Sequence, residues 1–352
     1  MSLSQYPYRL LARWIADDPQ AWVALGDFET RLLSRRLPNV VQPVYISGLA
    51  RAGTTILTEA VARHPDVATH RYRDFPCILT PYFWHRILSS FDWVPKRAKP
   101  QERAHQDGIM VTPQSPEAME EIIWMAFFKK LHEENRSAVL GADTQNPAFE
   151  VFYRAHIGKV LLARKRGRYA SKANYNLTRT AYLKRLFPDA RFVLVVRHPL
   201  AHVASLKAKD ALFSERQKRD PKALTHMNQS GHFEFGLNRR LIHTGDNAAM
   251  ESVQAAFAGG DDWRGWARYW AMIHRYIHTL SAEPGVLVVR HEDLCARPQE
   301  KLREIFAHAG LTCDERTLAS AASLIREEKP VTLDAQTQDI ILQETRSATE
   351  WF

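Results

Sequence analysis

Two rhythms of apolar and polar residues run along this chain. Short unbroken apolar runs stand at Val44-Tyr45-Ile46, Val67-Ala68, Phe192-Val193-Leu194-Val195-Val196 and Val286-Leu287-Val288-Val289. Runs of this kind, bounded by proline or charge, predict strands buried on both faces of a parallel sheet. Tyr169-Ala170-Ser171-Lys172 predicts a further strand. Elsewhere apolar residues recur every three or four positions, which predicts helices over about 54–63, 147–165, 177–186, 263–280 and 298–309. Ser115 as cap, with Pro116 in the first turn, predicts another helix running to about 134. Residues 8–37 carry a helical stripe (Leu10, Leu11, Trp14, Ile15, Phe28, Leu32, Leu33) with a break near Asp18-Pro19. Its polar face mixes acids with arginines, so the stripe is expected to pack on the core rather than lie on a membrane.

Strand and helix in alternation predict an α/β fold: a central parallel sheet with helices on both faces. The expected division is an N-terminal helical extension (1–40), a main domain (41–312) and a C-terminal helix with tail (313–352). Within the main domain, about 207–261 reads as a polar, irregular insertion with helical pieces over the active-site face. Ligands collect beyond the carboxyl ends of such strands, so the loops after 46, 69, 172, 196 and 289 are expected to form one site. Residues 77–93 (Tyr82, Phe83, Trp84, Phe91, Trp93) read as a helix lining an aromatic wall. Pro95 to Pro116, with Lys96, Arg97, Lys99, Arg103, His105 and Asp107, reads as a polar loop long enough to serve as a lid.

The first strand runs into Gly48-Leu49-Ala50-Arg51-Ala52-Gly53-Thr54-Thr55. The glycines are spaced G-x-x-x-x-G and a hydroxyl residue closes the motif, as in a phosphate-binding P-loop, but Thr54 stands in place of the lysine. Loop amides and the dipole of the following helix favour an anion there. Arg51 adds a full charge, and Thr54 and Thr55 add hydroxyl donors. The expected architecture is therefore a P-loop NTPase-like three-layer sandwich, with the N-terminal helical layer and helical insertions added to it.

The proportions of hydrophobic (45%) and charged (25%) residues are those of an ordinary globular chain. The net charge of +9 changes the picture, because it asks for an anionic partner: a nucleotide, a sulfated or phosphorylated substrate, a membrane surface or nucleic acid. Cys77, Cys295 and Cys313 are far apart and odd in number. They give no disulfide framework and no metal-ligand spacing, and fit a reducing, cytoplasmic setting. No run of 18 apolar residues predicts a spanning helix, and Pro7, Arg9, Arg13 and Asp17 interrupt any signal-peptide core.

Four separated stretches, in order over about residues 44–310, resemble the sulfotransferase family that uses 3′-phosphoadenosine 5′-phosphosulfate. Gly48-x-x-Arg51-Ala52-Gly53-Thr54-Thr55 is similar to the family's 5′-phosphosulfate loop. Ser171-Lys172 is similar to the family's next strand end. Phe187-Pro188-Asp189-Ala190-Arg191-Phe192 through Arg197-x-Pro199, with Ser205 beyond, is similar to the segment that holds the 3′-phosphate. Arg290-His291-Glu292-Asp293-Leu294, then Arg297-Pro298, looks like a later Tyr-Glu-Asp-Leu stretch, with His291 in the tyrosine position. The resemblance implies sulfuryl transfer from that donor to an acceptor hydroxyl. It implies donor contacts at Arg51, Ala52, Gly53, Thr54, Thr55, Arg197, Ser205 and His291, and no required metal. The implied partners are an anionic nucleotide and a hydroxyl acceptor, not nucleic acid; a homodimer stays open.

Departures mark a divergent member, of a bacterial kind. Ile56 replaces an adenine-stacking tryptophan, and no Arg-Lys-Gly triplet closes the C-terminal part. The usual catalytic glutamate after the second strand is missing, which leaves His70, Asp74, His105 and Asp107 as acceptors of the hydroxyl proton, with His105 and Asp74 foremost. Lys172 is placed to steady the sulfuryl group and Arg51 the departing oxygen. Two rivals stand beside this reading: a small-molecule or nucleotide kinase, disfavoured by the missing loop lysine, and a basic nucleotide- or glycan-binding protein without activity. The acceptor itself, whether small molecule, lipid or glycan, is not legible.

Overall fold

The computed structural model describes residues 8–90, 99–133, 135–328 and 330–350. The described residues form the strands β1 (Val44–Ser47), β2 (Val67–Ala68), β3 (Gln101–Glu102), β4 (Met110–Val111), β5 (Arg168–Lys172), β6 (Arg191–Val196) and β7 (Val286–Arg290). Five of them make one parallel sheet in the order β2-β5-β1-β6-β7, and β3 and β4 make a separate hairpin. The apolar runs read from the sequence are these parallel strands. Register sets Ile46 beside both Lys172 and Val193, and Val196 beside Arg290. All five carboxyl ends therefore open on one edge, with β1 at the centre.

Helices in chain order are α1 (Arg9–Asp17), α2 (Pro19–Leu33), α3 (Thr54–Val61), α4 (Pro81–Ser90), α5 (Glu121–Phe127), α6 (Pro147–Arg164) and α7 (Thr180–Leu186). The second half adds α8 (Pro199–Arg219), α9 (Pro221–Ser230), α10 (Asn247–Ala258), α11 (Asp262–Ser281), α12 (His291–Ala296), α13 (Pro298–His308), α14 (Glu315–Ala322) and α15 (Ala335–Thr349). Alternation along the strands divides them between the two faces. Val44, Ile46, Ala170, Val193, Val195 and Val289 pack with Leu57 of α3, Leu302 and Ile305 of α13 and Leu318 of α14. On the other face Tyr45, Tyr169 and Phe192 meet Tyr153 and Ile157 of α6, while Leu194 and Val196 meet Val203 of α8 and Trp270 and Ile273 of α11. The result is the three-layer P-loop-like sandwich.

Three expectations need correction. The helix expected from Ser115 begins at Glu121 instead. The backbone before it pairs with another segment: Tyr72 and Arg73 donate to the carbonyls of Ser115 and Pro113, and Glu117 donates to that of His70. Ser115 turns its hydroxyl back to accept from the Thr112 amide. The aromatic wall expected over 77–93 is core at Trp84, while Tyr82 and Phe83 are only half-buried. Trp84 is buried with its indole N–H on the Arg73 carbonyl at 2.9 Å; Phe91, Trp93, Lys96 and Arg97 lie outside the described residues. The N-terminal stripe packs only in part: Ile15, Trp22 and Leu33 are buried, but Leu10, Trp14, Phe28 and Leu32 face outward. The stretch from 207, expected to be irregular with helical pieces, carries the end of α8, then α9 and α10, with an irregular length between the last two.

Candidate active site

The loop between β1 and α3 depends on two left-handed residues. Gly53 has φ 101°, and a side chain there would place its first carbon 2.4 Å from Nδ1 of His291. Arg51 has φ 73°, a conformation disfavoured for a residue with a side chain and found where surrounding contacts enforce it. Those contacts are visible. Arg51 Nε donates to Ser205 Oγ at 3.1 Å, and Arg51 Nη1 pairs with Asp107 Oδ2 at 2.6 Å. The Arg51 carbonyl accepts from Arg197 Nη1 at 3.1 Å. The two cations read from the sequence as separate anion contacts thus share one cleft. This follows from β1 and β6 being neighbours, so that the loops leaving them meet.

A second layer fixes these loops. Trp270 on α11 donates its indole N–H to the Arg197 carbonyl at 3.2 Å and to His202 Nδ1 at 3.1 Å. With Nδ1 accepting, His202 Nε2 carries the proton and donates to the Ala50 carbonyl at 2.8 Å. Burial, and then the nearby His274, push the His202 imidazole well below its ordinary pKa, so it stays neutral. The sequence reading missed both residues, since each looks like an ordinary core side chain on an apolar helix.

The β3–β4 hairpin supplies Arg103 and Asp107. Arg103 is buried; it clasps Asp107 through Nε and Nη2 and reaches Thr55 Oγ1 at 3.1 Å through Nη1. Asp107, between two guanidiniums, is held well below the ordinary carboxylate range: Arg103 and Arg51 outweigh the opposing effect of burial. It is a locked anion and a poor proton acceptor. Arg197 is likewise engaged, by Glu328 at 2.7 Å from Nε. The neighbouring His291 is pushed down to about 4 by burial and by Arg197.

Beside the loop opens a cavity of about 390 Å³. Arg51, Thr54, Thr55, Arg103, His105 and Lys172 stand on its wall; Phe75, Met119, Phe213, Met227 and Phe235 make it apolar. Lys172, from the end of β5, is depressed by burial against the pull of Glu117 and Glu234. Those two carboxylates also line the cavity. Glu117 stays below its usual pKa because Lys172, His232 and the Tyr72 hydroxyl outweigh burial. Glu234 accepts from Asn174 Nδ2 at 2.9 Å and holds His232 protonated above its ordinary range in spite of burial. His105 lies against the Phe213 ring at 5.0 Å, and burial, Arg103 and Arg51 keep it neutral.

Asp74 stands apart from this group. It is buried, it takes both Arg164 contacts (2.5 and 2.6 Å) and the Arg71 amide at 2.8 Å, and it is not on the cavity wall. His70, also away from the cavity, stacks on His156. Arg103, Glu117 and Glu234 were not singled out from sequence as site residues. Their only sequence signal is a position in polar stretches flanking the predicted loops. Among the described residues no cluster of His, Cys, Asp and Glu is arranged to hold a metal ion. Among them, too, no helix is long and apolar enough to cross a membrane.

A glycine-closed anion loop at the centre of a parallel sheet, with a second arginine on the adjacent strand end, defines a P-loop-like group-transfer site. The model of the sulfotransferase family matches residues 43–243, more than half of the chain, and the chain belongs to that family. No curated protein sequence matches it significantly. Among solved structures it is similar to sulfotransferase STF9 from Mycobacterium avium, at 12% identity and TM-score 0.54, over 99% of this chain and 88% of that one. It also matches sulfotransferase STF1 from Mycobacterium tuberculosis H37Rv, at 13% identity and TM-score 0.49, over 94% and 84% of the two chains. At such identity the likeness to STF9 speaks for the fold alone.

Proposed function

We propose that the protein moves a sulfuryl group from 3′-phosphoadenosine 5′-phosphosulfate to the hydroxyl of a small, largely apolar acceptor. The observation that carries this reading is the contact of Arg197 with the Arg51 carbonyl, together with Arg51 on Ser205. One donor molecule with phosphates at both ends of its ribose fits two such cations in one cleft. Arg51, the amides of Ala52 and Gly53, Thr54 and Thr55 take the 5′-phosphosulfate; Arg197 and Ser205 take the 3′-phosphate. Neutral His291 lies where the nucleotide passes the loop.

The acceptor enters the cavity, whose apolar wall and volume suit a small molecule better than a glycan chain. Its oxygen forms a bond to sulfur as the bond from sulfur to the bridging phosphate oxygen breaks. The electron pair leaves on that oxygen, where charge grows, and the loop amides, Arg51 and the hydroxyls stabilise it more in the transition state than before. His105, neutral and on the cavity wall, takes the hydroxyl proton. Lys172 steadies the transferring group. Asp74, engaged by Arg164, is not proposed in this role.

Calorimetry tests the reading. Adenosine 3′,5′-bisphosphate is expected to bind without magnesium and more tightly than magnesium-ATP. Arg197→Ala should cost the bisphosphate about 1.5–3 kcal/mol, the range for a hydrogen bond to a charged group, or roughly 12–150-fold. Adenosine 5′-phosphate should lose little. Preference for magnesium-ATP would count against this donor, and equal loss for both nucleotides would count against Arg197 as the 3′-phosphate contact.

A further inference from the structure

Helix α2 buries Trp22, Val23, Gly26, Glu29 and Leu33 on one side. The other side is apolar as well, and it is bare. Leu25 is 39%, Phe28 46% and Leu32 60% exposed, and Ala21 and Ala24 are exposed between and before them. A helix at a free surface ordinarily turns polar residues outward. Ala21, Leu25, Phe28 and Leu32 are spaced four, three and four apart, the spacing of a seam between two packed helices.

The pattern also reads the same when turned end for end. About the level between residues 26 and 27, Ala21 falls opposite Leu32 and Leu25 opposite Phe28. The same count pairs Asp18, the cap of α2, with Arg35 just past its end, and Asp17, the last residue of α1 and beside Arg13 at 3.4 Å, with Arg36. All four of these charged residues are exposed. A surface that complements itself under a two-fold rotation, small against large and acid against base, is what an isologous contact requires. An anionic membrane would meet the arginine end but be repelled by the acids at the other.

We propose that the chain pairs with a second copy of itself through α2, antiparallel, about a two-fold axis near Leu25 and Phe28. Sedimentation of the full chain over a concentration series is the test. A reversible monomer–dimer equilibrium is expected. Phe28→Asp should raise its dissociation constant at least ~30-fold, as for a central contact of about 2 kcal/mol. The thermal melt of that variant should match the parent, because the ring faces outward. Arg36→Glu should weaken the dimer several-fold, and adding Asp17→Arg to it should restore the affinity; Asp18 is left intact because it caps the helix. A chain that stays monomeric throughout overturns the proposal. So does a dimer indifferent to Phe28→Asp, or a charge exchange that weakens the dimer further. Vesicles of phosphatidylserine should not carry the protein down. If they do, and Phe28→Asp abolishes it while the protein remains monomeric, the surface is a membrane contact and the second copy is excluded.

Discussion

Arg51 is the residue on which the site turns, since its guanidinium and its carbonyl both serve it. The left-handed backbone points the carbonyl at Arg197 and the side chain at Ser205 and Asp107. Around it the titrating groups are driven apart. His105 is pushed well below an ordinary imidazole by burial and by Arg103 and Arg51, and Lys172 is pushed below an ordinary ammonium by burial. A base must be unprotonated to accept the hydroxyl proton, so the acid limb of the rate profile should fall below pH 6.5. Lys172 must stay charged, so the alkaline limb should fall below the usual lysine range. Between them the rate should be flat. His105→Ala should lower kcat by ~10²-fold or more with little change in KM, and should remove the acid limb. Should the limb survive in that variant and vanish in Glu117→Gln, the proton goes to Glu117.

At the scale of elements, two carboxylates occupy the cations that the proposed donor would need, and each comes from a separate segment. Asp107 sits on the hairpin of β3 and β4, and Glu328 on the stretch between α14 and α15. An incoming phosphate has to displace them, so both work against donor binding. Glu328→Gln should therefore strengthen adenosine 3′,5′-bisphosphate binding several-fold, about 1 kcal/mol for a partly buried pair, measured by calorimetry. A weaker complex would mean that Glu328 places Arg197 rather than competing for it. These segments also show where sequence reading stops. The strand β6 is legible because its five consecutive apolar residues serve a sheet covered on both faces, and β7 carries the same signature although, at the sheet edge, it is only partly buried. The hairpin of two-residue strands has no periodicity, so Arg103 and its grip on Thr55 are invisible there. Ser115-Pro116 has a helix-start signature, yet the backbone bonds to Tyr72 and Arg73 outweigh it. Local propensity of this kind yields to tertiary pairing.

At the scale of the molecule, the sheet order explains why the two arginines proposed to hold the donor come together. With β1 central and β6 beside it, residues 146 positions apart meet, and the family motifs are spaced for that meeting. The acceptor side had no such guide: its wall comes from α8, α9 and the irregular stretch after them, where Phe213, Met227, Glu234 and Phe235 look like any insertion. The same scale gives the net charge its role. A chain of +9 presents a positive field to a nucleotide with several negative charges, and the cleft gathers Arg51, Arg103, Lys172 and Arg197. Attraction of this sort acts before contact and dies away over the screening length, which shrinks from ~30 Å at 0.01 M salt to ~8 Å at 0.15 M. The association rate of adenosine 3′,5′-bisphosphate, followed by stopped-flow tryptophan fluorescence, should then drop ~10-fold or more across that range. Its dissociation rate should change far less, because the final contacts with Arg51 and Arg197 are partly buried and poorly screened. Uncharged adenosine is the control and should show no salt dependence. If the bisphosphate's rate also stayed level, the excess arginine would be serving solubility, and the capture of the donor would rest on the cleft alone.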